Sequence, residues 1–191
     1  PLLLFCVTLP PALFYISQKI QQTPYQWARI VGWMDPWKHI RDEGWNLAQS
    51  YYAIASGGFW GQGLGHSIQK LDWLPFYHTD FIFAVMCEEL GVVAPLSILG
   101  LLGLLGWRGY MIAQECPSRF GSMMAFGLTT VILLQAAINL CVNVGLMPVT
   151  GVTLPLISYG GTSVVFTFWM VGILLNISRY NHQHQEMPKS S

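Results

Sequence analysis

The chain contains apolar runs too long for the core of a soluble protein, at Pro1 to Ser17, Phe81 to about Ala113, Ser122 to about Met147 and Thr162 to Ser178. A helix needs about 20 residues to cross the hydrocarbon of a bilayer, and lipid offers no partner to a bare backbone. Four membrane-spanning helices are therefore expected. Composition agrees, because 53% hydrophobic and 9% charged residues leave too little polar surface for a soluble globule. The fold class is all-α: a polytopic transmembrane helix bundle with a long extracytoplasmic loop.

One membrane domain is expected over residues 1–191, with an outer loop over 18–79 and a cytoplasmic tail over 179–191. The first run begins on Pro1 and lacks a basic flank, so it reads as the interior of a longer protein rather than as a signal peptide. Arg108, Arg119, Arg179 and Lys189 flank the face opposite the long loop. Short basic flanks stay in the cytoplasm, whereas loops of about 60 residues escape that bias, so the long loop and the linker from Pro148 to Gly161 are expected outside.

A formal net charge of +0 gives no basic stripe for nucleic acid, which is excluded as a partner class. Cys6, Cys87, Cys116 and Cys141 show no CxxC spacing, so neither a disulfide nor a zinc site is indicated. The long loop is rich in tryptophan and tyrosine, a composition suited to the headgroup layer. Within it Asn46 to Ser56 reads as a short helix ending at Gly57-Gly58 and lying on or dipping into the membrane surface. The glycines from Gly57 to Gly65 follow no strand and precede no Gly-Lys-Ser/Thr, so they read as close turns rather than as a phosphate loop.

In so apolar a chain, acids at a membrane boundary are the first candidates for function. Asp80 stands where the loop meets the second run, and Glu88 and Glu89 follow within it. On one continuous helix Asp80 and Glu88 would lie about 12 Å apart along the axis and roughly 80° apart around it. That exceeds the roughly 5 to 9.5 Å between the carboxyls of glycoside hydrolases, so a single base is favoured over an acid pair. Asp80 has two open readings, helix N-cap and catalytic base. Glu88 and Glu89 are structural ion-pair candidates, with partners expected on other helices.

Gln135, Asn139 and Asn143 recur at spacing four and put a polar stripe on an apolar helix, for hydrogen bonding between helices or for substrate. Ser97, Gly100, Gly103, Gly106 and Gly109 form a small-residue ridge suited to close helix packing. From Gly145 to Ser163 proline and glycine are too dense for a regular helix, and irregular backbone near lipid must be buried or line a wet cavity. This linker is expected to wall the outward site.

The run Pro148 to Ser163, with Leu74-Pro75, His78 to Ala84 and Glu88-Glu89-Leu90-Gly91, resembles the SEDS proteins (shape, elongation, division and sporulation). The resemblance covers nearly the whole chain and corresponds to the C-terminal half of a family with ten transmembrane helices. Gly63 to Lys70 and Asp35-Pro36-Trp37 look more like its division and sporulation branch (FtsW, SpoVE) than like its elongation branch (RodA). Phe76 stands where the family usually has an acid, and His66 where it usually has asparagine.

The resemblance implies peptidoglycan glycosyltransfer: polymerisation of lipid II into glycan strands at the outer face of the bacterial cytoplasmic membrane, beside a class B penicillin-binding protein and other divisome proteins. The essential loop aspartate of the family falls on Asp80, with the role of general base toward a sugar 4-hydroxyl. A pyrophosphate leaves as a stable anion and needs charge neutralisation rather than a proton donor, so one carboxylate suffices. Lys70 is the favoured neutralising group, ahead of His78, Arg29, Lys38 and Arg41, and a divalent cation (Mg or Mn) is the alternative. Substrate contacts are expected from Gln69, Lys70, His78, Thr79, Asn143 and Ser158. A transporter of the lipid-linked precursor (a flippase) and a noncatalytic divisome scaffold are the competing functions.

Overall fold

The structure, a computed structural model, describes residues 24–41, 44–67 and 79–186, as helices, turns and loops. The chain divides into two compact units, Pro1–Ala48 and Gln49–Ser191. The run from Pro1 to Ser17 lies outside the described residues.

In the first unit helix α1 (Pro24–Met34) opens on a proline, whose fixed φ suits a first helical position. The expected outer loop is therefore helical over this stretch. In the following turn Lys38 Nζ lies 2.6 Å from the Asp35 carboxylate. That bond holds the Asp35 carboxyl below its ordinary range. Helix α2 (Trp45–Gly57) extends the expected surface helix by one residue at each end. Gly58, at φ 53, takes the left-handed backbone that stops it.

In the second unit the apolar run from Phe81 is two helices, not one span. Helix α3 (Ile82–Leu90) ends at Gly91, and α4 (Val93–Glu115) begins after it. In an unbroken helix the Pro95 ring would meet the Gly91 carbonyl four residues back; in the first turn of α4 it meets nothing it must displace. Gly91 turns the chain at φ 60, and a Cβ there would stand 2.5 Å from the Phe59 carbonyl oxygen.

Helix α5 (Arg119–Asn143) stops four residues short of the expected Met147. Gly145, at φ 75, lets its own N–H reach the Val142 carbonyl (3.0 Å) and the Leu146 N–H reach that of Cys141 (2.8 Å). Those two bonds are a Schellman stop. Helix α6 (Gly161–Glu186) runs past Ser178 into the expected tail. Nothing from Arg179 to Glu186 breaks a helix, and the Asn181 side chain donates to the Ile112 carbonyl at 2.9 Å, tying α6 to the end of α4.

Helices α4, α5 and α6 are long and apolar enough to cross a membrane. Their outer faces carry large apolar side chains such as Leu99, Leu104, Phe126, Leu134 and Trp169, while α4 and α5 bury Ala94, Gly106, Gly109, Ala125, Thr129 and Ala136. Lipid gives apolar side chains no reason to turn inward, so close backbone approach joins the helices instead. A Cβ on Gly109 would stand 2.2 Å from Thr129 Oγ1, and one on Gly106 2.9 Å from Leu133 Cδ1. Gly100 and Gly103 meet nothing within 4 Å, so the small-residue ridge packs at Gly106 and Gly109 and is open at Gly100 and Gly103.

These pairings make α4 and α5 antiparallel, joined through Cys116–Ser118. The start of α4, the end of α5 and the start of α6 therefore share one end of the bundle. The turn carrying Asp80 is bonded to that same end.

Candidate active site

The site is built on the last two turns of α5. Its polar stripe is spent on main-chain carbonyls. Gln135 Nε2 donates to the Thr153 carbonyl at 3.1 Å and lies 3.3 Å from Ser163 Oγ; Asn139 Nδ2 donates to the carbonyls of Asp80 (2.9 Å) and Val152 (2.7 Å). Asn143 Nδ2 donates to the Asp80 carbonyl at 2.9 Å as well. A carbonyl oxygen has two lone pairs, and both on Asp80 are engaged by α5.

Asp80 itself is half-buried, in a turn just before α3. Phe81 takes the N-cap position of that helix, and Asp80 stands one residue before it. The carboxylate lies against the linker: a Cβ added to Gly151 would stand 3.7 Å from Asp80 Oδ2. Gly151 adopts φ 73, a conformation open to glycine at little strain. The linker therefore runs beside the Asp80 carboxylate.

That linker is internally fixed. Thr153 Oγ1 and Ser163 Oγ are 2.7 Å apart, and the Leu154 N–H donates to Ser158 Oγ at 2.8 Å while the Ser158 N–H returns to the Leu154 carbonyl at 3.0 Å. Between them Leu156 takes φ 66, a backbone that leucine seldom adopts. Ser158 and Asn143, both expected at the substrate, are buried, 3% and 0% exposed. Their polar groups bond within the linker and to the carbonyl of Asp80.

Glu88 lies at the far end of α3 from Asp80, 1% exposed, and accepts a short hydrogen bond from buried Ser67. The main-chain carbonyls of Glu88 and Glu89 accept from the N–H groups of Gln62 (2.9 Å) and Gly63 (3.0 Å). The glycine loop thus runs along the end of α3. Added Cβ atoms on Gly57 and Gly61 would stand 2.1 and 2.2 Å from the Cys87 and Glu89 carbonyl oxygens. Close packing explains those glycines.

Thr79 sits half-buried beside Asp80, while Gln69, Lys70 and His78 lie outside the described residues. Among the described residues no group of three or more His, Cys, Asp or Glu side chains converges. Sequence reasoning missed Ser50, whose hydroxyl donates to the Asn143 carbonyl at 2.9 Å, and Tyr51, whose hydroxyl occupies the space a Gly145 side chain would need. No local pattern marks a serine on one helix as the cap of another.

Residues 2–183 match the family model described as "Cell cycle protein", that of FtsW, RodA and SpoVE. The chain belongs to the FtsW/RodA/SpoVE family. It is 45% identical over 162 residues to stage V sporulation protein E of Bacillus subtilis, covering 85% of this chain and 44% of that one. It is 45% identical over 168 residues to the probable peptidoglycan glycosyltransferase FtsW of the same organism, covering 88% and 42%. The chain thus spans less than half the length of these FtsW and SpoVE relatives.

Among solved structures the family fold recurs in one described as "Structural coordination of polymerization and crosslinking by a peptidoglycan synthase complex". The likeness has a TM-score of 0.63 at 32% identity, over 94% of this chain and 52% of that one. A RodA mutant of Thermus thermophilus matches with a TM-score of 0.51 at 40% identity, over 55% and 36%.

Proposed function

We propose that this chain carries the catalytic base, Asp80, of a peptidoglycan glycosyltransferase that polymerises lipid II. The supporting observation is the holding of Asp80: its main chain is fixed by two buried asparagines while its carboxylate stands against the linker. The relatives named as probable peptidoglycan glycosyltransferases supply the reaction class.

In this mechanism the Asp80 carboxylate takes the proton of the sugar 4-hydroxyl on one lipid-linked substrate. That oxygen bonds to the anomeric carbon of the other, and the lipid pyrophosphate leaves with the electrons of the broken bond. A fixed carboxylate lowers the barrier by being already in place, without reorganising as charge develops. Lys70 neutralises the leaving pyrophosphate, with a divalent cation as the alternative neutralising group. The site faces outward, the branch is division or sporulation, and the partner is a class B penicillin-binding protein.

A transporter would need the polar stripe of α5 as a path for a headgroup. Asn139 and Asn143 are 1% and 0% exposed and engaged with carbonyls, which favours the enzyme. The deciding experiment is lipid II polymerisation by the full-length protein, wild type against Asp80→Asn, with membrane insertion checked in parallel. The variant is expected to insert normally and to make no glycan; retained polymerisation would end the base assignment.

A further inference from the structure

We infer that Asn139 is a positioning residue for the acid, setting where the Asp80 carboxylate stands against the linker; this rests on Asp80 as the base. Asn139 is 1% exposed, so it acts through its neighbours. Its amide nitrogen has two N–H groups, and the oxygens 2.9 and 2.7 Å away are the Asp80 and Val152 carbonyls. Carbonyls only accept, which fixes the orientation of the amide. Its Oδ1 in turn accepts from Asn143 Nδ2 at 3.2 Å. Each polar atom of the side chain is engaged inside the protein.

The two carbonyls belong to segments far apart in the chain. Asp80 lies in the turn before α3, whereas Val152 is next to Gly151, the linker residue whose missing Cβ would stand 3.7 Å from Asp80 Oδ2. One amide group therefore closes a small circuit. From Asn139 it runs to the Asp80 main chain, out along the side chain to the carboxylate, across to Gly151 and back through Val152. Asn143 reaches the Asp80 carbonyl, and Gln135 reaches Thr153 and Ser163. Of the three stripe residues, Asn139 is the one bonded to both the acid and the wall beside it.

Removing its donors leaves the Val152 carbonyl without that partner and the Asp80 carbonyl with Asn143 alone, and it frees the turn from the linker. A misplacement of about 1 Å at a reacting group is enough to lower a rate about 100-fold. Substrate binding, which draws on many contacts, is much less sensitive to such a shift, so the loss falls on kcat.

The test is steady-state lipid II polymerisation by the full-length protein, with kcat and KM measured separately. Asn139→Leu keeps the volume and removes both donors. It is expected to lower kcat about 100-fold and to leave KM within about threefold. Asn139→Ser retains one donor and is expected to give an intermediate kcat. A wild-type kcat in Asn139→Leu, or a loss confined to KM, overturns the inference.

If Asn139→Leu fails to accumulate in the membrane, Asn139→Ser decides by the same split: reduced kcat at near-normal KM supports positioning, and any other pattern refutes it. Asp80→Asn, assayed alongside, separates the two claims. An active Asp80→Asn overturns the base, whereas an inactive one beside a fully active Asn139→Leu overturns the positioning role alone.

Discussion

Ser50 donates its hydroxyl to the main-chain carbonyl of Asn143 at 2.9 Å, so a side chain of α2 closes the last turn of α5. The final carbonyls of a helix have no partner within it. Here the residue whose carbonyl is closed is also one whose side chain holds Asp80. Helix α2, helix α5 and Asp80 are thereby linked through one residue.

Ser50→Ala leaves that buried carbonyl without its donor. A loss of about 1 to 3 kcal/mol in unfolding free energy is expected in detergent, with a several-fold fall in polymerisation. Equal stability and equal rate in the variant would show that water or backbone adjustment replaces the bond.

Gly109 and Gly103 lie on the same helix yet differ in surroundings. Gly109→Ala drives a methyl group into Thr129 and is expected to destabilise by about 1 to 3 kcal/mol. Gly103→Ala enters open space and is expected within about 0.5 kcal/mol of wild type. Thermal unfolding of the two variants in one detergent checks the contrast; equal shifts would contradict the α4–α5 packing.

Gly151→Ala meets only ordinary contact with the Asp80 carboxylate, so its effect comes from the backbone at φ 73. A left-handed alanine costs about 1 to 2 kcal/mol, which the linker relieves by moving. Polymerisation is expected to fall at least tenfold, with insertion unchanged, because the part that moves is the wall of the site. An assay showing wild-type glycan synthesis would refute this.

Ser67→Ala removes a donor from the buried carboxylate of Glu88. Hydrogen bonds to charged groups contribute about 1.5 to 3 kcal/mol, and a loss in that range is expected by chemical denaturation. Glu88→Gln, which removes the charge, should reduce the effect of the Ser67 substitution when the two are combined. Strictly additive losses would mean that the two residues do not interact.

The membrane class and the stripe of Gln135, Asn139 and Asn143 were legible because each is written within one segment, as composition or as a period. The partners of the stripe were not, since Asp80 lies 59 residues from Asn139 and 63 from Asn143. The break at Gly91 was half legible. Pro95 forbids an unbroken helix, but uniform apolarity from Phe81 to Ala113 masked it, and the turn itself depends on the distant Phe59 carbonyl. Helix α1 was hidden by the aromatic residues that made its segment look like an interfacial loop. Gln69, Lys70 and His78 remain readings of the sequence alone.

The 59-residue separation between Asp80 and Asn139 also orders the making of the site. At translation rates of about 5 to 20 residues per second, the acid leaves the ribosome about 3 to 12 s before the amide that holds it. A nascent chain released in that interval has its carboxylate but no holder. Competence therefore waits for α5 and the linker that follows it, not for the synthesis of the acid alone.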